Sequence, residues 1–499
     1  NIPAFARNTI PAIHPSTGGA AAGNYQDGVL INEINEGRRS TVTSLGGDVR
    51  IEGTGGGTGA SGFNRGVAIH LGGLVSAGGS GNVTVIGTSG GADGPFNLGV
   101  SVIGTTSPAE ITSSGGNVLV RGTGNGSSAS EKNYGVEVLW GGVITAGNSG
   151  AVTIEGTGGN SGIGYEHGVL VSGMSPAGDP ATITSSGGNV SVTGQGGGTG
   201  AASQNYGVSL SDGGRIGAPS TNHHVSIVAT SGVAALDEKI GLRVTGTESS
   251  INAGTNKTIS IDAQDGYSFT SVNQDLQAQT ISFTDGTTLR FNLNGLEAEN
   301  SFDQLDVVGT IDLTGTTLQL TGEYDFPTGG SVVLVENDGG DALIGTFDGL
   351  NENALITFGS TTLRLSYAGG DGNDVELTSI NLPPTLDALS DLTFDEDASE
   401  QTVSLTGIGA GGGESQPLKV TAASDTASLI PNPAVTYTSA EATGTLKFTP
   451  VADQSGRATI TVTVEDGGLD GDLDTGGDNG TFSRTFDVTV NAVNDTPTL

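Results

Sequence analysis

The 499-residue chain has no cysteine, which excludes disulfides, thiolate metal sites and thiol nucleophiles together. Lys and Arg number only 17 against 53 Asp and Glu, a formal net charge of −36, so the clustered cations that nucleic-acid phosphates require are missing. Charged residues make up 14% of the chain with no heptad run among them, and a long coiled coil is excluded. No apolar stretch approaches the roughly 20 residues of a membrane-spanning helix. Methionine occurs once, at Met174, and no basic segment followed by an apolar core opens the chain. The expectation is a processed or partial chain. Glycine is abundant instead, at 87 residues, roughly twice its usual share, but it never settles into every third place as collagen demands.

The glycines mark repeats. A Gly-Val-x-apolar unit recurs at Gly28, Gly66, Gly99, Gly135, Gly168 and Gly207, and as Gly-Leu-Arg-Val at Gly241, at intervals of 38, 33, 36, 33, 39 and 34 residues. An apolar-x-apolar pair follows in every unit, from Val49/Ile51 through Val118/Val120 to Ile259/Ile261. Single apolar positions at Val42, Val75, Ile111, Ile144, Ile183, Ile216 and Ile251 form a third series. Seven copies of a three-strand coil result. The closest text matches lie two coils apart, as in Ile111-Thr-Ser-Ser-Gly-Gly-Asn-Val118 and Ile183-Thr-Ser-Ser-Gly-Gly-Asn-Val190, so the duplicated unit spans two coils. Strands this short bury two apolar side chains each and need stacking, coil on coil at about 4.8 Å, to form a continuous core. A seven-bladed propeller shares the period but needs four longer strands per blade.

Two further segments follow. The first carries Phe302-Asp-Gln-Leu-Asp-Val-Val-Gly-Thr310, Gly345-Thr-Phe-Asp-Gly-Leu350 and Tyr367-Ala-Gly-Gly-Asp-Gly-Asn-Asp-Val-Glu-Leu377. It resembles the strand-rich end of bacterial autotransporter-like and haemagglutinin-like passenger proteins, which implies a continuation or cap of the solenoid that protects its open edge. The second carries Phe394-Asp-Glu-Asp-Ala398, Phe448-Thr-Pro-Val-Ala-Asp453, Val462-Thr-Val-Glu-Asp-Gly-Gly468 and Val490-Asn-Ala-Val-Asn-Asp-Thr-Pro497. It resembles the tandem cadherin-like modules of large bacterial surface proteins, and its short alternating strands have the spacing of an immunoglobulin-like sandwich. The opening Asn381-Leu-Pro-Pro-Thr-Leu386 is echoed by the final Asn494-Asp-Thr-Pro-Thr-Leu499, as though a further copy began there.

The expected fold is therefore all-β: a parallel β-solenoid of three-strand coils, about 35 residues per coil, with a C-terminal cadherin-like β-sandwich. The expected divisions are a lead-in over 1–27, solenoid repeats over 28–266, a continuation or cap over 267–380, the sandwich over 381–493, and a linker or next module over 494–499.

Acidic residues supply the metal candidates. Asp395, Glu396 and Asp397, Glu465 and Asp466, and Asn494 and Asp495 offer hard oxygen ligands suited to Ca²⁺, which takes 6–8 of them. The cadherin-like resemblance implies calcium at the junction with a neighbouring module, held by Glu396, Asp466, Asn494 and Asp495. Against it stand an incomplete linker motif and the plainer reading of solvated acidic turns. Asp470, Asp472, Asp474 and Asp478 have the opening spacing of an EF-hand loop, but Thr481 occupies the place of its closing Glu. Gly369-Gly-Asp-Gly-Asn-Asp374 resembles one calcium-binding nonapeptide repeat, in a single copy that reads equally as a hairpin turn.

Aromatics recur beside the Gly-Val corner at Tyr25, Phe63, Phe96, Tyr134, Tyr165 and Tyr206. Such a row either seals the corner or stacks on sugars. Enzyme signals are thin, because the outward strand positions Thr84, Thr153, Ser191, Ser226 and Ser260 are small and uncharged, and the five His share no register. The expected function is a secreted bacterial cell-surface protein, structural or adhesive and not an enzyme. It would form a rigid rod section of a larger multidomain protein that binds copies of itself, surface proteins or glycans and self-assembles into homo-oligomers, filaments or a surface layer, with no nucleic-acid partner and no membrane span. The competing expectations are a carbohydrate-active β-helix enzyme, lyase or hydrolase, and a sugar-binding module.

Overall fold

The computed structural model describes residues 24–32, 39–199, 202–218, 223–232, 240–246, 249–263, 267–270, 275–298, 301–327, 329–359, 361–412 and 414–494. Regular structure among them is entirely β. The chain forms two compact units, one from the described residues within 1–322, 333–352 and 367–376, the other from those within 323–332, 353–366 and 377–499.

The first unit is a parallel β-solenoid. One coil shows the logic. Strands Val136–Leu139, Val143–Ala146 and Val152–Thr157 point Val136, Val138, Ile144, Val152 and Ile154 inward, all fully buried. Each strand then pairs in parallel with its equivalent one coil later, Val136 opposite Val169, Ile144 opposite Ile183 and Ile154 opposite Val192. Like therefore stacks on like, and the three apolar series of the sequence become three interior ladders. Ten first strands line up in one sheet, from Val29–Asn32 to Thr317–Thr321.

The coils shorten after Gly241, and the cause is local. Ser250–Asp262 is one 13-residue strand that pairs with both Arg215–Gly217 and Val225–Thr230, so the corner between second and third strands disappears. Residues paired across coils are 33 to 39 apart before this point and 25 apart just after it. The first-strand ladder nevertheless continues through Thr288–Asn292 to Thr317–Thr321. The stretch 323–380 is shared between the two units.

The two-coil period also has a physical source. The ring of Trp140 lies where a Cβ on Gly173 would stand, and Met174 lies where one on Gly213 would stand. A bulky residue in one coil thus requires glycine at the equivalent or adjacent corner of the next. Gly173, at φ +79, is expected to tolerate no side chain. Gly173→Ala should cost about 1–3 kcal/mol, and Trp140→Ala in the same chain should recover the steric share but not the backbone share. A double-mutant cycle on the unfolding transition with no coupling would refute the contact as the cause.

The second unit contains two sheets. Leu392–Asp395, Thr481–Asn491, Gly456–Asp466 and Leu418–Ser424 form one; Gln401–Thr406, Thr443–Phe448 and Ala434–Thr436 form the other. All pairings are antiparallel except that of Leu392–Asp395 with Thr481–Asn491. Inward residues of both sheets, among them Leu405, Leu446, Phe448, Ile460, Val462, Val464 and Val488, share one apolar cluster.

Candidate functional site

The acidic candidates divide between opposite ends of the second unit. Glu396 lies at one end, where its Oε1 accepts from the Val493 amide at 2.6 Å and its own amide donates to the Asn491 carbonyl at 2.9 Å. Asn494 follows directly in the chain, and Asp495 lies outside the described residues. Asp466 lies at the other end, because Thr481–Asn491 runs antiparallel to Gly456–Asp466 and pairs Thr481 with Glu465. Eleven residues of strand, roughly 33 Å at the usual rise, separate the two places. The structure thus brings Glu396 and the chain leading to Asn494 together and sets Asp466 apart from them.

Asp466 has its own surroundings. It is fully buried. Its Oδ1 accepts from Asn381 Nδ2 at 2.9 Å and from the amides of Gly468 and Gly480 at 3.0 and 2.7 Å. Its Oδ2 is buried with no hydrogen-bond partner, as are Glu414 Oε1, Gln416 Oε1 and Asn479 Oδ1. These belong to one network. Gln416 Nε2 donates to Asn381 Oδ1 and to Glu414 Oε2, both at 3.1 Å, and Asn479 precedes the Gly480 amide that Asp466 holds. Burial pushes the Glu414 carboxyl above its ordinary value against the restraint of the Thr362 hydroxyl, the Leu382 amide and Gln416, and the Asp466 charge adds to that push. Buried oxygens facing no donor are costly, and a hard cation relieves that cost. Among the described residues no three carboxylate or imidazole side chains converge on one point, so a cation here would lean on the amide oxygen of Gln416 as well.

The other acidic motifs are satisfied locally. Asp470 and Asp472 each accept the amide two residues on, at 2.9 Å, and Thr475 Oγ1 donates to Asp470 Oδ2 at 2.7 Å. Asp478 Oδ2 accepts from the Leu469 amide at 2.8 Å. At Gly369–Asp374 the Gly372 amide donates to the Gly369 carbonyl, and Asp374 accepts from the amides of Asn337 and Asp371. That is a turn.

The six corner aromatics fall into two rows. Tyr25, Phe63, Phe96 and Tyr165 stand three residues before the glycine, with Lys132 and Gln204 at the same place; all six are left-handed, with φ between 56° and 65°. Neighbouring rings stack at 5.0 and 4.9 Å, and the Lys132 ammonium takes the missing ring's place, 5.3 Å from Phe96 and 5.6 Å from Tyr165. Tyr134 and Tyr206 stand one residue before the glycine, buried, with His167 stacked between them at 5.0 and 5.1 Å. Tyr25, Phe63 and Phe96 thus cover one another's faces, Lys132 lies between the faces of Phe96 and Tyr165, and Tyr25, at one end of its stack, is 62% exposed.

Outward rows on the second strands carry hydroxyls, with Thr43, Ser76, Thr112, Thr145 and Thr184 in register. The carboxylates beside them are paired, Glu110 with Arg39 and Glu155 with Arg121. One Ser-His-acid group does occur. His70 Nε2, Ser101 Oγ and Glu137 Oε2 form a chain across three coils at 3.0 and 2.8 Å. Its order differs from a nucleophilic triad, since Ser101 gives its proton to Glu137 and the imidazole then donates to Ser101. Burial holds His70 down to about 3 and Glu137 above its ordinary value, and Ser101 is fully buried.

One feature had a sequence signal that was missed. Two residues before the glycine stand Asn64, Asn97, Asn133, Glu166 and Asn205. They form a buried ladder in which Asn64 Nδ2 donates to Asn97 Oδ1 at 2.8 Å, Asn97 Nδ2 to Asn133 Oδ1 at 3.0 Å, and Asn133 Nδ2 to Glu166 Oε1 at 3.1 Å. Neither a protein-family model nor a curated protein matches the chain.

Proposed function

We propose that the chain is a section of a secreted bacterial cell-surface protein, structural or adhesive, in which a β-solenoid rod is joined to a cadherin-like module stiffened by calcium. The observation that carries this reading is the solenoid itself. In-register ladders, sealed corners and outward hydroxyl rows make a rigid scaffold, and the outward carboxylates Glu110 and Glu155 are held by Arg39 and Arg121. The cadherin-like reading of the second unit draws on two sheets around one apolar cluster and on the parallel pairing of Leu392–Asp395 with Thr481–Asn491. The calcium reading draws on the donorless oxygens around Asp466. Rings that cover one another's faces weigh against sugar stacking. A surface at −36 stays soluble and attracts divalent cations that bridge neighbouring copies.

Negative-stain microscopy of the purified chain in millimolar calcium, then in chelator, tests the assembly. Filaments or sheets that disperse on chelation are the expected result. Single particles unchanged by chelation would overturn both self-assembly and the role of calcium in it.

A further inference from the structure

Glu166 stands where the ladder otherwise holds asparagine. Its Oε1 is well served, accepting from Ser161 Oγ at 2.7 Å and Asn133 Nδ2 at 3.1 Å. Its amide donates to Asn205 Oδ1 at 3.0 Å, which keeps the backbone half of the ladder unbroken. The side-chain half breaks here. Every asparagine above has an Nδ2 hydrogen for the next coil, whereas Glu166 offers Oε2, buried and without a partner. The residue is fully buried. Gly159, against which Oε2 packs, directs its amide to the Asn133 carbonyl at 2.8 Å.

We infer that Glu166 is a proton-operated joint in the solenoid: protonated at Oε2 it acts as the amide the ladder lacks and holds its coils closed, and ionised it leaves a buried charge that favours local opening of the corners at 159–168 and at 197–199 with 202–207. Burial is the chief influence on the carboxyl and pushes it up to about 7, with Ser161, Asn133 and the nearby Gly159 amide restraining the rise. The titratable groups around it are Glu131, Lys132 and Tyr134 on the coil before, and Tyr165 and His167 on its own coil. The coil after contributes Tyr206, with Arg243 one coil further on. None is an ion-pair partner of Glu166, since Lys132 pairs with Glu131 at 3.7 Å and burial keeps His167 neutral, down to about 3.

The folded value lies above the unfolded one, near 4.5, so the closed state is favoured fully below that value and loses its advantage as pH rises through about 7. Hydrogen exchange of the full chain, corrected for intrinsic rates, should show the opening constant of those two corners rising about tenfold per pH unit between pH 5 and 7 and levelling off above. Glu166→Gln should flatten that profile and protect the corners at pH 8 roughly as well as the unaltered chain at pH 5. Glu166→Asn, which restores the asparagine run, should do the same and serves if the glutamine variant does not fold. A variant that keeps the original pH profile, or one that loses protection equally at pH 5 and pH 8, would overturn the proposal.

Discussion

Alanine at Gly135 is expected to be among the most damaging single-methyl changes available to this chain. Two glycine rows meet at the corner between the third strand of one coil and the first strand of the next. A Cβ on Gly135 would fall well inside 3.0 Å of the Thr157 amide nitrogen, 2.6 Å from the Gly168 carbonyl oxygen and 2.7 Å from the Gly156 carbonyl carbon. A Cβ on Gly156 would fall 2.6 Å from the Gly168 carbonyl carbon and 2.7 Å from Val169 Cγ2. Nearly all these neighbours are backbone atoms of adjacent coils, fixed by ladder hydrogen bonds, and cannot swing away as a side chain does. Overpacking of this kind costs at least 1–3 kcal/mol, and with the backbone unable to yield we expect about 3 kcal/mol or more. Gly91→Ala is the control, since nothing lies within 4 Å of a Cβ there. Denaturant unfolding of the two variants decides the matter. Equal midpoints would mean that the glycine rows reflect ancestry and not contact.

That geometry explains what was legible in the sequence and what was not. The solenoid was legible because contacts between adjacent coils repeat at nearly constant separation, so Gly135, Val136 and Ile144 each announce themselves several times. The two-coil period was visible as text, and Trp140 against Gly173 supplies its cause. The corner aromatics were found but not sorted. Tyr134 and Phe96 look alike in a list of rings beside Gly-Val, yet they stand one and three residues before the glycine, and that offset places one inside a buried stack and the other in a half-exposed one. Glu166 carries no signal of its own, because it breaks a polar series that runs beside the far stronger apolar ones. Around Asp466 the difficulty was of another kind. Asn381, Glu414 and Gln416 are brought to it only by the topology of the sheets, with Asn381 85 residues away in sequence, and no local pattern announces such a meeting. The resemblance pointed to Asp466 itself but grouped it with Glu396 and Asn494, which the antiparallel run of Thr481–Asn491 carries to the far end.

Calcium is accordingly expected to act on the second unit through Asp466, and two substitutions with opposite signatures separate a cation site from a purely structural carboxylate. Asp466→Ala removes the acceptor of three donors, the buried Gly468 amide and the half-buried Asn381 Nδ2 and Gly480 amide, and a buried donor left orphaned costs about 1–3 kcal/mol. The unit should lose about 3 kcal/mol or more even in chelator, and calcium should not restore it. Glu414→Gln should behave differently. Its carboxyl is raised by burial and by the Asp466 charge, so the folded state favours the protonated form, and that stability fades as pH rises above the ordinary carboxylate range. Neutralising it should stabilise the calcium-free unit at neutral pH and flatten its decline above the carboxylate range. The same change deletes an anionic ligand, so the calcium response should shrink. In the unaltered chain, saturation at a hundred times the dissociation constant adds about 2.7 kcal/mol; in Glu414→Gln most of that gain should be lost. Thermal unfolding of the unaltered chain and both variants, with and without calcium, gives the six numbers required. A calcium response that Glu414→Gln leaves intact would move the ion away from this network and toward Glu396 at the opposite end, and no response in the unaltered chain would leave Asp466 as a structural anchor for the Gly467–Gly480 loop.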